Sequence, residues 1–432
     1  MLRTLIACGI ICLSSNSIGA DLADLDLLLT ENDIDIRRAM TSIDALESKK
    51  RAVEAEYLPL VTASASAAST SRQRGTSTEK FEGETYSLSA QQPILDGVLL
   101  LESDRVDALI GSERARLEAI IQSRKLELIR EYTRWLSASA EYDLVSEQAS
   151  YVEERLEQVT RLLEANRATQ LDVLAVQAEK YRIEAKKAGA KASIENAQAA
   201  LLSLIGPIEP LNWSRPTYDA GVWVFDTVID PASVSALDEH PELIAQELSR
   251  QSAQTSLRQA KRGMWPSILS KVEMTQTNTS SDFSATPRTN VWSFALTAQW
   301  TLFDSGRNSA EVAQRTISLK DANFAVGQVK RDLERRFAQS KVALTNARAA
   351  WESSKRELDS ALDLAQLSDK RLIGGVGTVS DTLAAIERVT DAKIRQNASW
   401  LQGLLTSATL LADVGKLNRA SIDLLAAYAA VP

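Results

Sequence analysis

Histidine is almost missing from this sequence: His240 is the only one in 432 residues. A histidine-based catalytic triad, or a site with several imidazole ligands, is therefore excluded within one chain. Cysteine is confined to Cys8 and Cys12. Both fall in a segment with a basic start at Arg3, an apolar run from Leu5 to Leu13, and Ile18-Gly19-Ala20 before Asp21. That layout predicts a secretory signal peptide over residues 1–20, cleaved near Ala20. Leu5-Ile6-Ala7-Cys8 is similar to a lipoprotein cleavage box, but too little apolar chain precedes Cys8, so ordinary cleavage is expected. The exported chain then has no thiol nucleophile, thiolate metal site or disulfide, and must be held by packing.

Long apolar runs are missing too. No segment offers about 18 uninterrupted apolar residues, so no transmembrane helix is expected, and entry into a membrane would require a closed β-barrel. A one-sided basic charge is also absent. The formal net charge is -8, with both signs mixed along the chain, which argues against nucleic acid and for solvated helix faces. Gly374-Gly375-Val376-Gly377 is glycine-rich, but no Gly-Lys-Ser/Thr follows and no strand precedes it, so it is not a phosphate loop. Paired acids such as Glu153-Glu154 fall on a helical surface. The expectation is a protein that is not an enzyme, with no cofactor and no metal.

Proline is rationed. None of the ten prolines lies between Pro93 and Pro207, or between Pro287 and Pro432. A proline inside a helix costs about 3 kcal/mol, so these gaps predict very long helices. Tyr142, Val145, Ala149, Val152, Leu156, Val159 and Leu163 step by three and four, a heptad seam that packs on a neighbouring helix. A helix from Glu102 to Glu164 would run roughly 90 Å. Two breaks interrupt the helical stretches, Glu164 to Thr169 and Gly374 to Thr378. Glycines end the helix at the second break, Thr169 or Thr378 caps the helix that follows each, and Asp172 or Asp381 lies in its first turn.

The sequence also answers itself at an offset of about 208 residues. Glu31-Asn32-Asp33-Ile34 matches Glu239-His240-Pro241-Glu242, and Tyr57-Leu58-Pro59 matches Met264-Trp265-Pro266. Gln92 to Gly97 matches Trp300 to Asp304 with Gly306, and Thr169 to Leu174 matches Thr378 to Leu383. The script predicted for each half is a helix, a proline, two strands, an Asp/Gly turn and two long helices. His240 precedes Pro241, where a helix start is expected. The domain reading is a signal peptide over 1–20, a first repeat over 21–205, a linker over 206–235, a second repeat over 236–418 and a tail over 419–432.

Trp292, Phe294, Leu296, Ala298, Trp300 and Leu302 alternate with Ser293, Ala295, Thr297, Gln299 and Thr301. A period of two, with tryptophan near each end of the apolar face, is the pattern of a lipid-facing barrel strand. Ile268, Val272 and Met274 alternate with Lys271, Glu273 and Thr275, and Tyr86, Leu88 and Ala90 with Ser87, Ser89 and Gln91. Val61 to Ser69 is a weaker Ala/Ser alternation. Thr70 to Glu82 and Asn278 to Asn290, rich in Ser, Thr, Asn and Arg, read as solvent loops. A soluble antiparallel sheet with one buried face alternates in the same way, and that alternative stands on the strands alone. Four strands do not close a barrel, so several copies must pool theirs.

These features together resemble the TolC-like outer membrane factor family over nearly the whole exported chain. The resemblance rests on Tyr57-Leu58-Pro59, Leu95-Asp96-Gly97, Phe303-Asp304-Ser305-Gly306, Thr169 to Leu174 and Gly375 to Leu383, in order and twice over. It implies a mixed α+β, mostly helical fold: a long coiled-coil helical barrel plus a transmembrane β-barrel, its strands contributed by each protomer of a trimer, with internal duplication. It implies a homotrimer in outer membrane lipid and a tunnel extending into the periplasm. It also implies docking to a periplasmic adaptor (membrane fusion) protein and an inner-membrane pump of RND, ABC or MFS type. The function implied is the outer duct of a tripartite efflux or type I secretion system.

By the same resemblance, Asp172 and Asp381 sit at the periplasmic aperture, where threefold symmetry would make acidic rings. The alternative for each is an ordinary helix-start aspartate. Ala168, Thr169, Leu171, Gly374, Gly375, Gly377 and Thr378 would form the adaptor-contacting turns, and Trp292, Phe294, Leu296 and Trp300 the lipid-facing strand. The chain departs from the family at Ala384, where some members carry a second acidic ring. It departs again at Leu372 and Gly377, where some carry a Tyr/Arg lock. The missing lipidation cysteine leans toward protein-secretion or general-purpose members, while the lumen residues do not choose a cargo. The competing function is a soluble periplasmic coiled-coil scaffold or adaptor.

Overall fold

The computed structural model describes residues 21–206, 213, 218–225, 234–281, 284–285, 288–374 and 376–428. The predicted signal peptide, Gly375, the end of the tail and much of the 206–235 linker lie outside the described residues. Among the described residues eight helices and five strands follow in order: α1 (Leu22–Asn32), α2 (Ile34–Ala55), β1 (Leu60–Arg74), β2 (Ser77–Leu95), α3 (Glu102–Glu164), α4 (Gln170–Ile205), α5 (Pro241–Arg262), β3 (Ser267–Ser281), β4 (Ser284–Ala285), β5 (Thr289–Gln299), α6 (Arg307–Ile373), α7 (Val379–Asp413) and α8 (Arg419–Tyr428). Short 3-10 turns at Leu99–Leu101 and Val234–Glu239 precede α3 and α5. No described helix is long and apolar enough to cross a membrane.

The order helix, strand pair, long helix, long helix occurs twice. α2 and α5 each have 22 residues, α3 and α6 have 63 and 67, and α4 and α7 have 36 and 35. At 1.5 Å per residue α3 and α6 are each roughly 95–100 Å long. Tight turns launch them. Asp96 Oδ1 accepts from the N–H groups of Val98 (2.8 Å) and Leu99 (3.0 Å). Asp304 likewise accepts from Gly306 (3.1 Å) and Asn308 (2.7 Å), with Ser305 and Gly306 both in the left-handed region. One break was not visible in the sequence pattern. Asp33 separates α1 from α2, and its Oδ1 accepts from Asp35 N (2.9 Å) and Ile36 N (3.0 Å) to restart the helix.

The chain divides into two compact units, and each repeat contributes to both. The first unit takes residues up to Arg37, Glu118–His240 and from Arg331 onward. Its main core joins Leu22, Leu25 and Leu29 of α1 to Tyr132, Trp135, Leu201, Trp400, Leu404 and Leu425. Around these lies a belt of rings. Trp135 meets Tyr132 and Trp213, Trp400 meets Tyr218 and Phe225, and Trp223 meets Phe225 and Trp351, with centroids 4.9–5.6 Å apart. Indole N–H groups donate outward to backbone, Trp351 to Ala220 O (2.7 Å) and Trp400 to Val222 O (2.9 Å). A Cβ at Gly403 would come within 2.7 Å of Trp223, so only glycine admits this packing. His240 is buried beside its helix start, its Nε2 3.2 Å from Ala412 O.

The heptad seam forms a second core in the same unit. Val145, Val152 and Val159 are buried against Val173, Val176, Ile183 and Leu383, with Ala149, Leu156 and Leu163 partly buried beside them.

The second unit, Arg38–Leu117 with Pro241–Lys330, carries the sheet. Its long strands run in the order β1-β2-β3-β5, all antiparallel, with the two-residue β4 also on β3. The stretches read as loops are largely strand. β1 continues to Arg74 and β2 begins at Ser77, while β3 runs to Ser281 and β5 begins at Thr289. Ser, Thr and Arg are compatible with extended backbone when both faces of a strand meet polar surroundings. At the other end the strand prediction was too long. β5 stops at Gln299, and Trp300 instead donates its indole N–H to Met264 O (3.0 Å) as the chain turns toward Asp304. Pro93 sits at a bulge beyond the last β1 pairing, where its missing N–H costs no ladder bond.

Candidate functional site

Two places gather the candidate residues: the faces of the sheet, and the turns joining α3 to α4 and α6 to α7. In the sheet, residues paired across strands share a face. One row runs Ala63, Leu88, Met274, Trp292, and the next runs Val61, Ala90, Val272, Phe294. Leu296 and Ala298 continue the same face opposite Ser270 and Ile268. The rows between them point the other way: Thr62, Ser89, Glu273, Ser293, and Ser64, Ser87, Thr275, Val291. On this polar face Thr62 and Ser64 hydrogen bond to Ser89 (2.9 Å) and Ser87 (2.7 Å), and Lys271 pairs with Glu273 (3.1 Å).

Neither face is covered. All eleven residues of β5 are exposed, and Trp292 and Phe294 show 70% and 72% of their surface. A soluble sheet with one buried face would hide these rings. Fully extended, the eight steps from Trp292 to Trp300 span at most about 26 Å, which a strand tilt of about 40° reduces to about 20 Å of height, inside a barrel's apolar band of about 25 Å. Among the described residues β1 pairs only with β2, and β5 only with β3, so the sheet ends in two edges.

The turn after α3 closes with a Schellman motif. Arg167 N reaches Leu162 O (2.8 Å) and Asn166 N reaches Leu163 O (2.9 Å), with Asn166 at φ 53°. Thr169 then caps α4: its Oγ1 accepts from Asp172 N (3.2 Å), while Asp172 Oδ2 accepts from Thr169 N (2.9 Å) and Thr169 Oγ1 (2.7 Å). At the second turn backbone N–H groups again fold back onto the end of the preceding helix, α6. Val376 N and Gly377 N both reach Arg371 O at 3.0 Å, and Gly374 N reaches Lys370 O at 3.0 Å. Thr378 and Asp381 form the next capping box, with bonds of 3.1 Å and 3.3 Å. A Cβ on Gly377 would come within 2.9 Å of Leu372 N, so glycine is needed where the chain folds back over the end of α6.

The helix-start reading of Asp172 and Asp381 is therefore realised at both positions. It leaves their charge intact. The hydroxyl and backbone N–H of Thr169 hold the Asp172 carboxyl below its ordinary range, and those of Thr378 do the same for Asp381. Two fixed anions thus stand at matching points of the two turns. Beside them Leu171, Leu174, Ile373 and Val376 are exposed, whereas Ala168 is half-buried against the seam core.

Sequence reasoning missed the links between the hairpins. Arg155 of α3 is almost buried, stacks on Tyr151, donates to its hydroxyl, and pairs with Asp369 of α6 (3.2 Å). Arg182 and Lys186 of α4 pair with Glu387 of α7 at 2.6 Å and 3.4 Å. Burial opposes the charge on Glu387, but Arg182 and Lys186 outweigh it and hold the carboxyl below its usual range. Lys393 reaches Glu147 at 3.3 Å. These residues sit on helix faces thick with other charges, and only the packing singles them out.

The profile of the outer membrane efflux protein family matches residues 27–207 and 232–416. The chain is 23% identical to the alkaline protease secretion protein AprF of Pseudomonas aeruginosa, over 82% of this chain and 74% of AprF. Among solved structures it superposes on CusC with a TM-score of 0.80 at 16% identity, covering 93% of this chain and 95% of CusC. It superposes on the CmeC outer membrane channel of Campylobacter jejuni with a TM-score of 0.81 at 14% identity, covering 94% and 89%. The repeated helical hairpins, the open-edged amphipathic sheet and a profile match over well more than half of its length agree, and the chain belongs to the outer membrane efflux protein family, whose members are channels of the outer membrane.

Proposed function

We propose that this chain is the outer duct of a tripartite export machine: three copies pool their strands into a twelve-stranded barrel and their helices into a periplasmic tunnel. The observation that carries the reading is the sheet, with apolar rows unbroken across four strands on one face, polar rows on the other, and two open edges. Lipid is the solvent that suits the first face, water the second, and another copy of the same sheet the edges. Trp292, Phe294, Leu296 and Trp300 then face lipid. The duct is passive, and an inner-membrane pump of RND, ABC or MFS type supplies the energy.

At the periplasmic end the turns around Ala168, Thr169 and Leu171, and around Gly374, Gly377 and Thr378, receive a periplasmic adaptor protein, with Leu171 and Val376 as apolar contacts. Asp172 and Asp381, ionised and repeated by symmetry, ring the aperture and favour cations. The Arg155–Asp369 and Arg182–Glu387 links keep the hairpins together near that end, in place of the Tyr/Arg lock this chain lacks. Among cargoes a secreted protein is favoured, because the sequence relative AprF is a protease secretion protein.

Single-channel recording of protein recovered from outer membranes tests the reading. A low, cation-selective conductance is expected, and Asp381→Asn should weaken the selectivity. A protein extracted without detergent that gives no conductance would leave the soluble coiled-coil scaffold as the better account.

A further inference from the structure

The two open edges of the sheet are not alike, and their difference dictates how copies join. On its apolar face β1 presents Val61 and then Ala63, Ala65 and Ala67, followed by Ser69 and Ser71. On the same face β5 presents Trp292, Phe294 and Leu296. Beyond Val61 one edge is a row of small side chains, and the other carries three large ones in succession. Since consecutive strands alternate in direction through the order β1-β2-β3-β5, β5 of one copy meets β1 of the next antiparallel.

Two constraints narrow the register. Faces must match, because a one-residue slip would turn every ring of β5 toward the polar side. An unpaired backbone group at an edge in lipid is costly, so all eleven residues of β5 should find partners within the fifteen of β1. Three registers satisfy both, placing Leu60, Thr62 or Ser64 opposite Gln299. With three copies they stagger the barrel progressively, tilting the strands by about 35°, 46° and 54° at a rise of ~3.3 Å and a strand spacing of ~4.8 Å. Membrane barrels tilt by about 35–45°, which retains the first two.

We infer that β5 of each copy pairs with β1 of its neighbour with Phe294 opposite Ala65 or Ala67 and Leu296 opposite Ala63 or Ala65, so that the large residues of one edge lie over the alanine row of the next. The row Ala63, Leu88, Met274 already rises in size away from the β1 edge. The rings of the next copy fill that step, making the lipid-facing wall level around the barrel. The inference rests on the reading of the chain as a multi-copy barrel.

The exported chain is expected to be free of cysteine, so paired substitutions report the seam directly. Ala295→Cys, on the polar face of β5, is combined in turn with Thr62→Cys, Ser64→Cys, Ser66→Cys or Ala68→Cys, on the polar face of β1. Directly opposed Cβ atoms lie about 4.5–5.5 Å apart and those one pair away about 7–8 Å, beyond disulfide reach. Oxidation of outer membranes should link most chains into covalent trimers with Ser64→Cys or with Ser66→Cys, and few with the other two. Strongest linkage at Thr62→Cys or Ala68→Cys, or no linkage at any position while reduced samples keep a trimer's mass, would overturn the seam and leave the channel reading standing. Reduced samples that behave as water-soluble monomers, with unsubstituted protein doing the same, would overturn both.

Discussion

Tryptophan divides this molecule in two. Of the eight in the chain, Trp135, Trp213, Trp223, Trp351 and Trp400 belong to the helical unit, where Trp135 and Trp400 keep only 1% of their surface. Trp265, Trp292 and Trp300 belong to the sheet unit, and all three are exposed. The same residue type, in the same chain, serves a core in one unit and a surface in the other. Burial within one copy is what the helical unit was built for. The sheet has no such core within one copy: in the function proposed above, its stabilising contacts come from lipid, from water in the lumen and from other copies.

Removing the anchor of the first region should have the largest effect. Trp400→Ala deletes a fully buried ring and its bond to Val222 O, for a loss of about 3–5 kcal/mol. Thermal melting of the helical signal in detergent should shift down strongly, whether or not the protein has assembled. Phe294→Arg probes the other region and should leave that helical signal in place. It opposes membrane assembly by about 2–4 kcal/mol per copy if Phe294 lies near the bilayer midplane, which outer-membrane fractionation would show. If the two substitutions behave alike, the contrast between the regions is wrong.

The turns offer a finer version of the comparison. Gly377→Ala must push a Cβ against the backbone of Leu372, and should cost about 1–3 kcal/mol locally. Asn166→Gly, at the matching turn, should be tolerated because glycine readily takes the left-handed conformation found there. Hydrogen exchange at each turn would separate the two. The smallest expected effect concerns pH. Asp172 and Asp381 have carboxyls held below their ordinary range by their capping threonines. Their contribution to the helix starts is therefore complete above the ordinary aspartate value of about 3.9, and is lost only as pH falls through the lowered folded value. Cation selectivity of the conductance should persist below that ordinary value and fade at still lower pH.

Much of the helical architecture was legible. The proline gaps, the heptad seam through Val145, Val152 and Val159, and the threonine caps are local signals, and local hydrogen bonding decides them. The strand centres were legible for the same reason, since alternation is a property of neighbouring residues. The strand ends were not. The Ser/Thr/Arg stretches beyond the apolar rows look like loops, because a strand wet on both faces carries no alternation. The interior of the first unit was hidden too. Nothing in the spacing of Trp135, Trp223 and Trp400 tells that they share one core, or that Arg155 and Asp369 meet across more than two hundred residues of chain.

The most direct test of the account is the mass of the particle extracted from outer membranes. The open-edged sheet predicts that extraction requires detergent and yields three copies, with Phe294→Arg lowering the yield of that trimer. A stable monomer that leaves the membrane fraction in salt alone, with its tryptophan-bearing sheet intact, would contradict it.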